Sequence, residues 1–368
     1  MEQQAFAIAV AAQVPTHLIG MPGIGKTALV RSIARKLGWH LEVMIAANRD
    51  RTDFGGIPLV KDGRLELAHL PWVERLLAAR QAILFIDEIG GTPLDVRPSL
   101  LKVIDERVVG DTPLPRETVV VAASNPGEWG EGDGAEVWSL AMKTRMVHIP
   151  ISPPSAAHFT RALVQGWEDP LAGLELPTPQ AVATHLPRAK ALIASFLMRQ
   201  PQAVAPIPKP GDTVWGWPNP RTWESIAARG LAAWLAMGSP ETMREALQIF
   251  LLGALGPYGL TFAAWLQEQE IPDPEALLAD PEMALPLRQD QLYTLMYGVV
   301  AAVLSTLTHQ RWEAGWRFLR RLTPDMAFLG VRELLTAYRE RRLMEQGFSF
   351  PKWVREMMRV LEAVEKAR

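Results

Sequence analysis

The sequence predicts an α/β chain: a parallel sheet flanked by helices over residues 1–152, followed by an all-α remainder. Three observations predict it. A glycine-rich loop, Gly20-Met21-Pro22-Gly23-Ile24-Gly25-Lys26-Thr27, joins an apolar run (Thr16 to Ile19) to a helix-like run (Ala28 to Leu37). Short β-rich runs at 17–20, 41–46, 82–87, 118–123 and 146–150 alternate with amphipathic segments, the pattern of parallel strands joined by crossover helices. After Ile149-Pro150-Ile151-Ser152-Pro153-Pro154 the pattern turns helical, because proline cannot continue a ladder and restricts the residue before it.

The loop comes first and carries the most chemistry. Its spacing, G-x-x-x-x-G-K-T, is that of a Walker A phosphate loop. Glycines let the backbone wrap an anion, so that successive N–H groups and the following helix N-terminus point at a phosphate. Gly20, Pro22, Gly23, Ile24, Gly25, Lys26, Thr27 and Ala28 are the expected binding residues. Lys26 would reach the β- and γ-phosphates of ATP, and the Thr27 hydroxyl would bind Mg²⁺.

The third strand, Ile83-Leu84-Phe85-Ile86-Asp87-Glu88, ends in two carboxylates about 60 residues after Lys26. Asp87 would serve the Mg²⁺, and Glu88 would orient and deprotonate the attacking water. The fourth, Val119-Val120-Val121-Ala122-Ala123-Ser124-Asn125-Pro126, carries an amide at its tip. Asn125 next to Glu88 would hold the lytic water without neutralising the base. Each motif falls at the C-terminal end of a strand, where open α/β sheets bind ligands.

Between these motifs, Ile57 to Leu67 alternates apolar and polar residues around Asp62-Gly63, a hairpin signature, and Arg107 to Thr118 reads as a second hairpin turning through Asp111-Thr112-Pro113. Phe54 is a candidate either for an exposed aromatic contact or for a buried anchor. Gly127 to Trp138 is acidic, glycine-rich and carries two tryptophans, a composition suited to an interface loop but lacking the calcium-loop pattern. Beyond the sheet, residues 155 to about 200 are helix-like, 201–220 form a loop rich in Pro, Gly and Trp, and 221–253 are helical. Three or four further helices follow, with turns near 272–274, 280–281 and 348–351. The domain reading is 1–152 nucleotide-binding core, 153–256 helical lid and 257–368 helical extension. Trp312, Trp316, Phe318, Leu319 and Leu322 fit one apolar helix face, and the arginines at 317, 320, 321 and 339, 341, 342 fit a solvated one.

Composition narrows the function. Of 368 residues, 48% are hydrophobic and 21% charged, which suits a chain with a sizeable core. A net charge of −2 gives no global drive toward nucleic acid. The absence of Cys excludes disulfides, thiolate catalysis and Cys-based zinc sites. The seven histidines show no metal-ligand spacing and read as structural. No basic leader and no membrane-length apolar run is present, so the expected location is cytoplasmic, without membrane insertion.

GMPGIGKT, LFIDEI, AASNP, Leu140-Ala141-Met142-Lys143-Thr144-Arg145-Met146 and Trp217-Pro218-Asn219-Pro220-Arg221-Thr222-Trp223 together resemble the AAA+ superfamily, dynein-related type, and within it the MoxR-like ATPases, over about residues 1–255. The resemblance implies a P-loop NTPase fold with an all-α lid, ATP hydrolysis, and a homo-hexameric ring. It maps the trans-acting arginine finger onto Arg145, with Lys143 a rival, and the lid's sensor arginine onto Arg221. Guanidinium groups suit both roles, since a planar charged fork matches the oxygens of a transferring phosphoryl group. It also implies that hydrolysis remodels or activates a protein client, a von Willebrand factor A domain protein being one candidate. The alternative is a nucleic-acid translocase or restriction-type motor, for which the hairpins offer only Lys61, Arg64, Arg107 and Arg116.

Overall fold

The computed structural model describes residues 1–126, 143–167, 169, 171–208, 216–238, 241–268 and 272–357. The chain divides into two compact units, one of Met1–Ala183 and Gln202–Ala263, the other of Thr184–Pro201 and Ala264–Arg368.

The first unit is built on five parallel strands, β1 (Thr16–Ile19), β2 (His40–Ile45), β5 (Ala82–Asp87), β8 (Thr118–Ser124) and β9 (Val147–Pro150), in the spatial order β2-β5-β8-β1-β9. All five coincide with the runs expected from the sequence to within a residue or two. The order puts β1 between β8 and β9, with Ile19 opposite Ser124 on one side and Pro150 on the other. The carboxyl ends of β5, β8 and β1 therefore lie side by side. The three central strands are buried on both faces, which is why they read as continuous apolar runs and not as alternating ones.

Helix α1 (Glu2–Ala11) precedes the sheet and carries no periodic signal, because Ala5 through Val10 are all at 0% exposure. A helix apolar on every side is one enclosed on every side. It packs against β1, β9 and two later helices, α8 (Ala228–Ala236) and α9 (Arg244–Leu255). Its C-terminal carbonyls are met by two half-buried guanidiniums: Arg229 Nε donates to Ala12 O (3.0 Å) and Arg107 Nη2 to Gln13 O (2.6 Å). Cations belong at that end of a helix.

Helix α2 (Lys26–Leu37) follows the glycine-rich loop, and α3 (Arg51–Gly55) leads into the first hairpin, β3 (Ile57–Lys61) with β4 (Arg64–Ala68), as expected. Helices α4 (Pro71–Ala78) and α5 (Arg97–Glu106) flank β5. The second hairpin, β6 (Val108–Val109) with β7 (Thr112–Pro113), turns at Gly110-Asp111, so Thr112 and Pro113 stand in the strand and not in the turn expected of them. Gly110, at φ 58°, supplies the left-handed conformation there. Phe54 is a buried anchor, 1% exposed and edge-on to Trp72, which removes it as an exposed contact.

The single helix-like stretch 155–200 is two helices, α6 (Ala156–Gln165) and α7 (Pro179–Arg199), separated at Gly166, whose φ of 85° ends the first. Pro187 lies inside α7 and does not stop it. Arg221 opens a six-residue π-helical turn, Thr222–Ala227, that runs on into α8. Gly253 of α9 sits where an added Cβ would come within 2.0 Å of the His148 carbonyl, so only glycine lets that helix approach β9 so closely.

From Pro257 on, the described residues hold six α-helical runs, more than the sequence suggested: α10 (Pro257–Gln267), α11 (Pro274–Ala279), α12 (Gln289–Ser305), α13 (His309–Arg320), α14 (Pro324–Glu340) and a last run over 352–357. In the second unit Trp312, Trp316, Phe318, Leu319 and Leu322 are buried together as expected. Two arginines of the basic runs have structural partners: Arg321 binds the Pro281 and Met283 carbonyls, and Arg341 donates to Leu304 O (2.8 Å). No helix of the described residues is long and apolar enough to cross a membrane.

Candidate active site

The loop between β1 and α2 takes its shape from Gly23 (φ 76°) and Gly25 (φ 100°). Both face open space where a side chain would otherwise stand, which leaves a cradle of bare backbone at the α2 N-terminus. Lys26 is 8% exposed, and its ammonium donates to Gly20 O (2.6 Å), Met21 O (3.1 Å) and Asn125 Oδ1 (2.9 Å). Thr27 Oγ1 donates to Asp87 Oδ2 at 2.8 Å. The strand order produces this convergence: β8 lies between β1 and β5, so the residues just past the ends of all three meet over one loop.

Glu88 adopts a left-handed conformation (φ 54°, ψ 39°), and its N–H donates to Asp87 Oδ1 at 3.0 Å. A non-glycine residue at positive φ breaks the strand direction. Glu88 is exposed beside the buried end of β5, where a carboxylate stays open to an incoming water.

A cavity of about 460 Å³ adjoins the loop, lined by Pro22 to Gly25, Ala28, Leu29 and Ser32, and also by Gln3, Pro154, Phe159 and Trp167. The last four were not among the expected site residues. No helical spacing would have found Phe159 and Trp167 together, because the helix that carries Phe159 ends at Gly166, before Trp167. The Trp167 segment is tied to α2 by Lys36, which pairs with Asp169 Oδ2 at 2.8 Å and donates to the Leu171 carbonyl. Phe159 and Trp167 stand with ring centroids 6.1 Å apart, an aromatic wall on one side of the cavity.

Arg145 and Arg221 do not line that cavity. Both guanidiniums reach one carboxylate near the C-terminal end of α5: Arg145 Nε lies 2.8 Å and Arg221 Nη1 3.3 Å from Asp105 Oδ2. Asp105 was not singled out in the sequence. Gly127 to Trp138 and Leu140 to Met142 lie outside the described residues. Lys143 is described, and its carbonyl accepts from His148 Nε2 (3.0 Å).

Behind the loop, β1 and β9 bring His17 and His148 together in the core, with Nδ1 atoms 3.0 Å apart and His17 Nε2 2.8 Å from Ser124 Oγ. Burial pushes both imidazoles down: His148 to about 4, and His17 well below its ordinary value, with the neighbouring His148 and the Lys26 charge acting the same way. Both are neutral at pH 7. Among the described residues no group of three His, Asp or Glu side chains is placed to hold a metal by itself.

Residues 15–146 match the family profile described as an AAA domain of the dynein-related subfamily. This segment is similar to AAA domains. The matched segment begins just before β1 and ends just before β9, so it holds the glycine-rich loop, Asp87, Glu88, Asn125 and Arg145, while Arg221 lies beyond it. No curated protein matches the chain. Among solved structures, a candidate ATPase from Cytophaga hutchinsonii is similar to it at 17% identity, over 71% of this chain and 78% of that one, with a TM-score of 0.43, a likeness too distant to transfer a function.

Proposed function

We propose that this chain is a MoxR-like AAA+ ATPase that works as a ring, most simply a hexamer, and couples ATP hydrolysis to remodelling or activation of a protein partner. The observation that carries the hydrolytic part is the paired contact Lys26 to Asn125 and Thr27 to Asp87 at the ends of three adjacent strands. Those groups have no packing reason to meet there, and they fit a nucleotide with Mg²⁺. The open cradle at Gly23 and Gly25 accepts phosphate oxygens, and a hydroxyl beside a carboxylate is an oxygen donor set suited to Mg²⁺. When bound, the ion would neutralise charge on the phosphates.

The chain's own groups supply the rest. Lys26 exchanges its carbonyl and amide acceptors for phosphate oxygens. Asn125, released from Lys26, then holds a water. Glu88, exposed and turned off the strand, takes that water's proton. Phe159, Trp167 and Gln3 form the wall against which the base would rest. Because Arg145 and Arg221 share Asp105 and neither lines the cavity, their placement favours donation to a neighbouring subunit, which makes assembly part of the active site. The nucleic-acid motor reading is weakened at one of its four hairpin cations, since the half-buried Arg107 donates to the Gln13 carbonyl.

The test is Glu88→Gln. The variant should retain ATP and stay assembled while turnover falls by at least about a hundredfold, and material that co-purifies with this trapped form in ATP identifies the client as protein or nucleic acid. Normal hydrolysis by the variant would remove Glu88 as the base.

A further inference from the structure

The two buried histidines form part of a longer hydrogen-bonded chain whose direction can be derived. The Lys143 carbonyl can only accept, so His148 Nε2 carries the proton of that bond. A neutral His148 then has an unprotonated Nδ1, so the bond between the two Nδ1 atoms is donated by His17. His17 Nε2 is therefore unprotonated in turn, and the Ser124 hydroxyl donates to it. Two neutral imidazoles thus satisfy all four of their ring nitrogens in one arrangement, running from Ser124 through His17 and His148 to the Lys143 carbonyl.

The ends of this chain are what give it meaning. Ser124 adjoins Asn125, which holds Lys26, and Lys143 stands two residues before Arg145, which reaches Asp105. Around the relay the sheet is lined by Leu18, Val121, Ala122, Val147 and Ile149, all at 0% exposure, and its other buried polar groups, Thr16 and Thr118 among them, lie at the amino-terminal ends of the strands or on other strands. Two apolar side chains would pack at positions 17 and 148 without the desolvation that imidazoles incur, so stability alone gives no reason for them. What a polar pair adds is a fixed register between two strand ends.

We propose that His17 and His148 are positioning residues: their relay fixes the Lys143 to Arg145 segment against the tip of β8, so that Arg145 is presented to the neighbouring subunit in register with Asn125. This rests on the trans role of Arg145 proposed above.

Subunit mixing separates the two claims. Lys26→Ala subunits donate Arg145 but cannot hydrolyse, and Arg145→Ala subunits hydrolyse but cannot donate, so their mixture should recover ATPase activity. His148→Leu added to the Lys26→Ala donor should lower the recovered kcat about tenfold or more, with KM unchanged, since the acceptor's site is untouched. The same change added to the Arg145→Ala acceptor should leave recovery within about twofold. His148→Gln, which keeps one donor and one acceptor, should restore most of the donor-side loss.

Equal losses on both sides, or none on either, overturn the relay while leaving the trans arginine in place. Mixed rings that form without any recovery refute the trans arginine itself, and the relay's role with it. Where His148→Leu does not fold, Ser124→Ala with His17→Leu and His148→Leu removes the buried polar partners together and is read in the same way.

Discussion

Acidification should weaken this protein in a pH window set chiefly by two fully buried histidines, with the half-buried His185 shifted the same way. An imidazole whose proton affinity falls on folding is protonated more readily in the unfolded chain, so its contribution to stability is complete above the unfolded value near 6.5. It is lost as pH falls toward the folded one. For His148 that window runs from 6.5 down to about 4. At roughly 1.4 kcal/mol for each tenfold change in proton affinity, the loss is about 3 kcal/mol from this residue, and His17, depressed in the same direction, adds to it. The carboxylates held low by their partners, Glu42 with Arg75 and Asp169 with Lys36, lose stability in the same sense. They do so only below their ordinary values near 4, so the range between pH 6.5 and 4.5 belongs to the histidines. Urea unfolding at half-unit steps of pH measures it: the wild-type free energy should decline across that range, and that of the His17→Leu and His148→Leu double variant should be flatter by several kcal/mol. Parallel curves for the two proteins would refute the buried neutral pair.

Three further outcomes follow from the site and the core. Lys26→Ala should weaken nucleotide binding at least about tenfold in a fluorescent-ATP titration, while the free protein keeps one cooperative thermal transition, lowered by the loss of the hydrogen bonds to Gly20, Met21 and Asn125; unchanged affinity would exclude Lys26 from phosphate contact. Trp167→Ala should raise the Kd for ATP several-fold, the worth of about 1 kcal/mol of aromatic contact, and should affect inorganic triphosphate little. Equal effects on both ligands would move Trp167 away from the base. Trp312→Ala removes a side chain only 2% exposed that lies among Trp316, Tyr338 and Phe348, and should lower stability by about 3–5 kcal/mol in denaturant titration. A loss below about 1 kcal/mol would show that the second unit repacks freely.

Local and strongly patterned features of this chain are legible in its sequence. The five strands can be read because buried parallel strands are unbroken apolar runs, and the glycine-rich loop because phosphate-binding backbone needs glycine at set spacings. Asp87, Glu88 and Asn125 are legible because strand tips carry the chemistry in such sheets. Helix α1 is not, since a segment enclosed on all sides has no periodicity to detect. The split between α6 and α7 at Gly166, the π-helical turn after Arg221 and the turn at Gly110 escape for a related reason. Each depends on how a few backbone angles are accommodated by neighbours, and composition does not record that.

By itself, then, the sequence determined that this protein has a glycine-rich loop of phosphate-loop spacing, a carboxylate-tipped strand and an amide-tipped strand, because each is a short run whose residue types are dictated by local chemistry. Only the tertiary structure decided which distant residues meet. It joined Lys26 to Asn125 across 99 positions and His17 to His148 across 131, brought Arg145 and Arg221 to Asp105, and set Trp167 over the loop. Those partnerships follow from strand order and helix packing, and spacing along the chain carries no trace of them.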